Sequence, residues 1–133
     1  MEMKSILFVC VQNSCRSQMA EGFARFFADD KVAVFSAGSN PSGIVDPVAV
    51  KVMSEEGIDI NAQLSKGFKD LPINKFDYVV TLGCGDVCPF IPAHRHISWE
   101  IQDPKGKGIQ FFRDARDVIK NKVYELLVEL GAI

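Results

Sequence analysis

The sequence has no charge excess of either sign. Fifteen Lys and Arg stand against seventeen Asp and Glu, a net charge of −2, so little is available to neutralise a nucleic-acid backbone or to grip an anionic bilayer. Long apolar runs are absent as well: stretches such as Ile6 to Val11 and Ile44-Val45 fall far short of the ~18 to 20 residues a membrane span requires. Met1-Glu2-Met3-Lys4 lacks a charged region leading into an apolar stretch and a small-residue cleavage site, so no secretory leader is expected. Cysteine is scarce, and four in 133 residues cannot staple a small secreted scaffold. In a reducing compartment such cysteines are catalytic, metal-binding or simply buried. These absences predict a cytoplasmic protein that contacts neither nucleic acid nor membrane.

What is present suits one folded domain over residues 1–133. Apolar types make up 47% and charged types 24%, the balance of an ordinary globular chain rather than a disordered one. Ser5-Ile6-Leu7-Phe8-Val9 is a continuous apolar run of strand formers, as in a parallel strand covered on both faces. From about Ser17 the period changes, with Met19, Ala20, Phe23 and Phe27 recurring at helical spacing. Val32 to Ser36 reads as a second strand, followed by a loop from Gly38 to Gly43. Asp46-Pro47 is a helix start, Val48, Val52 and Met53 its buried side, and Gly57 stands where its C-terminal cap belongs. Tyr78 to Leu82 is a third strand, His96 to Trp99 a short fourth. Ile119, Val123, Leu126, Leu127 and Leu130 mark a C-terminal helix that ends before Gly131. The phenylalanines Phe23, Phe26, Phe27, Phe111 and Phe112 are expected in the core, and His94, His96 and Trp99 in structural or surface positions.

Strands alternating with helices predict an α/β fold with a doubly wound parallel sheet, whose ligands lie beyond the carboxyl ends of the strands. Cys10, Cys84 and Asp103 follow the first, third and fourth strands, which brings three reactive types to that edge. Cys10-Val11-Gln12-Asn13-Ser14-Cys15-Arg16-Ser17 sets a cysteine six residues before an arginine, a spacing that closes a loop around a tetrahedral oxyanion. The loop joins a strand to a helix, so its amides and the helix N-terminus can face one anion and stabilise a negatively charged sulfur at Cys10. Arg16 offers a planar fork to two oxygens, and Ser17 a hydrogen bond to the sulfur. Cys15 reads as loop filler, with a protective disulfide to Cys10 open to it under oxidation. Cys84 and Cys88, on one helical turn, would have Cα atoms ~6 Å apart, within reach of a disulfide. Zinc held by Cys84, Cys88, His94 and His96 is the alternative, although their spacing does not match a closed finger.

The run Cys10 to Glu21, with Asn-Ser-Cys-Arg-Ser-Gln-Met-Ala-Glu at its end, resembles the arsenate reductases built on the low-molecular-weight protein tyrosine phosphatase fold. Ser36-Ala37-Gly38, Asp77 to Leu82, Cys88-Pro89 and Asp103-Pro104 extend the likeness over nearly the whole chain. The resemblance implies a three-layer, doubly wound, four-stranded parallel sheet of flavodoxin-like order. It also implies a thiol relay: Cys10 attacks arsenate held by Arg16 and the loop of Val11, Gln12, Asn13, Ser14 and Cys15. Asp103 is the general acid, and Cys84 and Cys88 resolve the adduct as a disulfide that a thioredoxin-like partner reduces. Relatives of this type carry a longer segment between the resolving cysteines, so their order of attack stays open.

Some members hold potassium through residues that match Asn13, Glu21 and Ser36. The additional acid that the resemblance implies falls near Lys66, whose ammonium would replace the ion, so neither a metal nor another cofactor is expected. The runner-up is a low-molecular-weight phosphatase working through a Cys10 phosphocysteine. Such enzymes usually follow the acid with tyrosines, whereas Lys105-Gly106-Lys107-Gly108 follows here. A thiol-based arsenite- or metal-binding protein is a third reading, which leaves Cys10, Arg16 and Asp103 without a role.

Overall fold

The computed structural model describes residues 3–83 and 90–133. Its order is β1 (Lys4–Cys10), α1 (Arg16–Ala28), β2 (Val32–Gly38), α2 (Pro47–Ser54), a 3₁₀ turn (Phe68–Asp70), β3 (Phe76–Leu82), β4 (Ala93–Trp99) and α3 (Ile109–Glu129). The strands form one sheet in the order β2-β1-β3-β4, and every pairing is parallel. This is the α/β architecture the sequence predicts. The order reverses at β1, so the crevice at a switch point of the sheet opens where Cys10 ends its strand.

Alternation along β1 divides the core in two, because successive side chains of a strand leave by opposite faces. Ile6 and Phe8 join Met19, Phe23, Val52, Ile119 and Leu127 beneath the three helices. Leu7 and Val9 join Ala37, Phe76 and Val79 on the other face, where Phe68, Leu71 and Ile91 pack against them. Each such fully buried large apolar side chain contributes about 1.5–3 kcal/mol relative to exposure. A β-carbon on Gly22 of α1 would come within 2.8 Å of Ile60 and 2.9 Å of Met53, so glycine there lets α1 approach α2.

The elements run longer than the apolar pattern alone predicts. β4 begins at Ala93, three residues earlier than expected, because it is an edge strand whose outward residues His94, Arg95 and His96 are exposed and carry no apolar signal. Asp46 caps α2 as predicted, accepting the Val48 amide at 2.8 Å. The helix closes at Glu55, and Gly57 takes a left-handed turn beyond it (φ +76°). Trp99 is buried, its ring 6.1 Å from that of Phe8. Phe23 and Phe112 are core residues, and Phe27 stacks on Phe23 at 5.8 Å. Phe26 and Phe111 correct the expectation: they are 58% and 46% exposed, on the outer sides of α1 and α3. Among the described residues, no helix is long and apolar enough to cross a membrane.

Candidate active site

The loop between β1 and α1 is tied down through its carbonyls. Val11 accepts the Asn40 amide at 2.8 Å, Gln12 the Ser42 amide at 3.0 Å, Ser14 the Asp46 amide at 3.0 Å, and Cys15 the Met19 amide at 3.0 Å. Asn13 accepts Gln18 Nε2 at 3.0 Å, and Gln12 also takes the Ser65 hydroxyl at 3.0 Å. Five consecutive carbonyls are thus committed to the surrounding frame. No acceptor among the described residues takes the amides of residues 12 to 15, so those N–H groups remain as donors for an anion. Asn13 makes the turn with φ +50°, a left-handed conformation that asparagine tolerates better than most residues. Gly38, beside the loop, leaves no room for a β-carbon: one would crowd the backbone of Cys10, Val11 and Asn13.

A pocket of about 200 Å³ sits over this loop, lined by Cys10, Val11, Gln12, Ser14, Cys15, Arg16, Asp103 and Lys105. Cys10 and Arg16, at the two ends of this loop, are therefore brought together with Asp103 from the chain beyond β4. The Cys10 sulfur lies 2.8 Å from the Ser17 hydroxyl, which accepts Asn13 Nδ2 at 2.8 Å. All three side chains are buried, so sulfur and hydroxyl are held in one geometry. Among the described residues the buried Ser14 hydroxyl has no hydrogen-bond partner, and it belongs to the same lining.

Arg16 is aimed by the segment that follows β4. Its Nη1 donates to the Ile101 carbonyl at 2.9 Å, and Nη2 stands 3.7 Å from Asp103 Oδ2. A β-carbon on Gly83, whose φ is +82°, would collide with Arg16 Nη1 and with the Ile101 carbonyl. Glycine is needed there for the guanidinium to pass. Asp103 is the exposed partner of this pair, at 53% against 8% for Arg16, and its Oδ1 accepts the Lys105 amide at 3.1 Å.

Cys15 differs from Cys10 although both are buried free thiols. Burial pushes the Cys15 thiol up to about 12, with the Asp46 carboxylate adding to the effect; its sulfur points to Asp46 Oδ2 at 3.7 Å. It stays a neutral thiol near neutral pH, as suits loop filler. Cys84 and Cys88 lie outside the described residues, and so does the zinc reading that needs them. His94 and His96, two residues apart, share a face of β4; His96 Nε2 lies 2.6 Å from the Ile91 carbonyl and its ring centroid 4.8 Å from that of Phe90.

Asn13, Glu21 and Ser36 are buried, and Ser36 donates to Glu21 Oε1 at 2.5 Å. Lys66 Nζ lies 3.8 Å from that oxygen and 3.4 Å from the Ser36 hydroxyl, and donates to the Leu64 carbonyl at 2.9 Å. Burial lowers the Lys66 ammonium below its ordinary range, and the Glu21 charge opposes that. The place an alkali ion would take beside Glu21 and Ser36 is filled by an ammonium, so the residues here do not fit the ion.

Asp46, Lys105, Gly83 and the Ile101 carbonyl were not picked out as site groups from the sequence. Asp46 was legible as a helix cap and Lys105 as a departure from the phosphatase pattern. Nothing local tied either to the pocket.

This fold and this loop define a class. The chain matches the low molecular weight phosphotyrosine protein phosphatase family over residues 5–132, and it belongs to that family. Within it, the chain is 39% identical to the glutaredoxin arsenate reductase of Synechocystis sp. over 132 residues, 97% of this chain and all of that one. A solved structure of an arsenate reductase in the phosphate binding state superposes with a TM-score of 0.85 at 39% identity, covering 96% of this chain and 98% of the other. The Corynebacterium glutamicum thioredoxin-dependent arsenate reductase gives 0.82 at 34% identity, over 97% of this chain and 62% of that one.

Proposed function

We propose that the protein is an arsenate reductase, acting as one domain over residues 1–133 in the cytoplasm. The observation that carries this reading is the pocket itself. A buried cysteine, a fixed guanidinium and a carboxyl surround a loop whose carbonyls are all engaged elsewhere and whose amides are left for an oxyanion. The relatives named as arsenate reductases, matched over nearly the whole chain, support arsenate as that anion.

In this mechanism the Cys10 thiolate forms a bond to arsenic, and Asp103 gives a proton to the oxygen that leaves as water. The loop amides and Arg16 carry the charge of the remaining oxygens. Cys84 then attacks the Cys10 sulfur, the sulfur–arsenic bond breaks, and its electron pair stays on arsenic, which leaves as arsenite. Cys88 attacks Cys84, freeing Cys10 and leaving a Cys84–Cys88 disulfide. The sum is one arsenate and two thiols converted to arsenite, water and one disulfide. An external dithiol of thioredoxin type restores the pair; the names of the relatives divide between glutaredoxin and thioredoxin, so both belong in a turnover assay. With Lys66 beside Glu21 and Ser36, the reaction needs no alkali cation.

The test is mass spectrometry of alkylated thiols after arsenate is added to fully reduced protein without external reductant, with phosphate as control. Loss of two free thiols per arsenite, mapped to Cys84 and Cys88, is the expected result. Four free thiols together with turnover of an aryl phosphate would make the protein a phosphatase instead.

A further inference from the structure

We infer that Lys105 is a specificity-determining residue: its ammonium at the mouth of the Cys10 pocket selects a free tetrahedral oxyanion over an organic ester of one. The inference rests on the oxyanion reading above and adds which form of anion the pocket prefers.

Lys105 lines the same pocket as Cys10, Arg16 and Asp103, but it comes from the opposite side, two residues after the carboxyl and outside the β1–α1 loop. Its amide is fixed on Asp103 Oδ1 at 3.1 Å, and its Nζ stands 4.0 Å from Asp46 Oδ2. The side chain is 42% exposed, and Gly106 and Gly108 follow with positive φ and open space around them. The ammonium therefore hangs over the mouth on a long stem with one loose carboxylate contact, free to exchange Asp46 for another anion.

An oxyanion seated on the loop amides and Arg16 directs one oxygen outward, past Asp103. When that oxygen is unesterified it shares the negative charge, and an ammonium above it is attractive at a partly desolvated surface. In an ester, the same oxygen bridges to carbon and an organic group must cross the mouth. It meets there the Lys105 ammonium and the Asp103 carboxylate, and none of the described residues lining the pocket is aromatic. The gain for the free anion and the loss for the ester have one source, so a single substitution moves both.

The experiment uses the full chain carrying Lys105→Gln, with Lys105→Arg as the charge-preserving control. Binding of inorganic phosphate is followed by calorimetry, and turnover is measured with arsenate and with p-nitrophenyl phosphate. In the glutamine variant the phosphate Kd and the arsenate KM rise about three- to fivefold, the size expected for one partly solvated charge contact. The change falls on KM rather than kcat. The ratio of kcat/KM for the ester to that for arsenate rises by at least the same factor, and arginine restores both measures. An unchanged phosphate Kd and an unchanged ratio would overturn the assignment while leaving the pocket intact. Wild-type protein that binds no phosphate would overturn the reading of the pocket and this inference with it.

Discussion

The floor and the mouth of the pocket are built on different plans. The floor, residues 10 to 17, is buried except for the half-buried Val11 and Gln12, and the carbonyls of residues 11 to 15 are bound by groups from elsewhere in the chain. The mouth, Asp103 and Lys105, is exposed and rests on one backbone contact and two loose ion pairs at 3.7 and 4.0 Å. Exposed pairs of this kind are worth little for stability, about 0–1 kcal/mol. The contrast teaches that the oxyanion and sulfur geometry is set in advance, whereas the groups that move a proton or sort substrates are left free to adjust.

Substitutions can break this division. The largest effect falls on the floor: Cys10→Ser keeps the shape of the pocket but removes the nucleophile, and arsenate reduction drops by at least about 10⁴-fold. Phosphate binding, measured by calorimetry, persists. Retained turnover would move the chemistry to another thiol. At the mouth, Asp103→Asn lowers kcat by about 10²-fold or more while phosphate binds as tightly as before or slightly tighter, because a carboxylate near Arg16 is gone. Weaker binding would show that Asp103 holds the anion as well as moving the proton. Smallest is Cys15→Ala, which changes kcat/KM by less than about threefold because the thiol is filler. In the wild type the same thiol resists alkylation: at pH 8, with its value near 12, about one molecule in ten thousand carries a Cys15 thiolate. Peptide mapping after iodoacetamide should find Cys15 unlabelled until the pH nears that value.

Much of the floor was legible in the sequence, and little of the mouth was. Cys10, Arg16 and Ser17 lie within eight residues, where a strand pattern gives way to a helix pattern, so their grouping is a local fact. The burial of Phe8 and Leu7 on opposite faces also follows from a continuous apolar run in a parallel sheet. Lys105 reaches the pocket, and Asp46 reaches Cys15 and Lys105 beside it, only because α2 and the β4–α3 loop converge there, and no local spacing encodes that. Gly83 has a steric duty beside Arg16 that depends on a residue 67 positions away in the chain, which no local pattern shows. Phe26 and Phe111 were misjudged by residue type. Phe27 and Phe112 take the inward angle of α1 and α3, and their neighbours, one residue away on the helix, turn outward.

The two rims of the sheet bear on how the protein behaves at high concentration. A parallel sheet ends in unpaired backbone groups that invite another chain to add a strand, the first step of aggregation. Here Gly38 at the β2 rim is bridged to Gly67 and donates its amide to the Lys66 carbonyl at 3.0 Å, which occupies the end of that rim nearest the pocket. The β4 rim presents His94, Arg95 and His96 to solvent, with Arg95 paired to Glu129 at 2.9 Å. A strand adding there would have to strip water from that polar row. The polar row that hid β4 from the hydrophobic pattern is thus also what makes the sheet a poor template for its own copies.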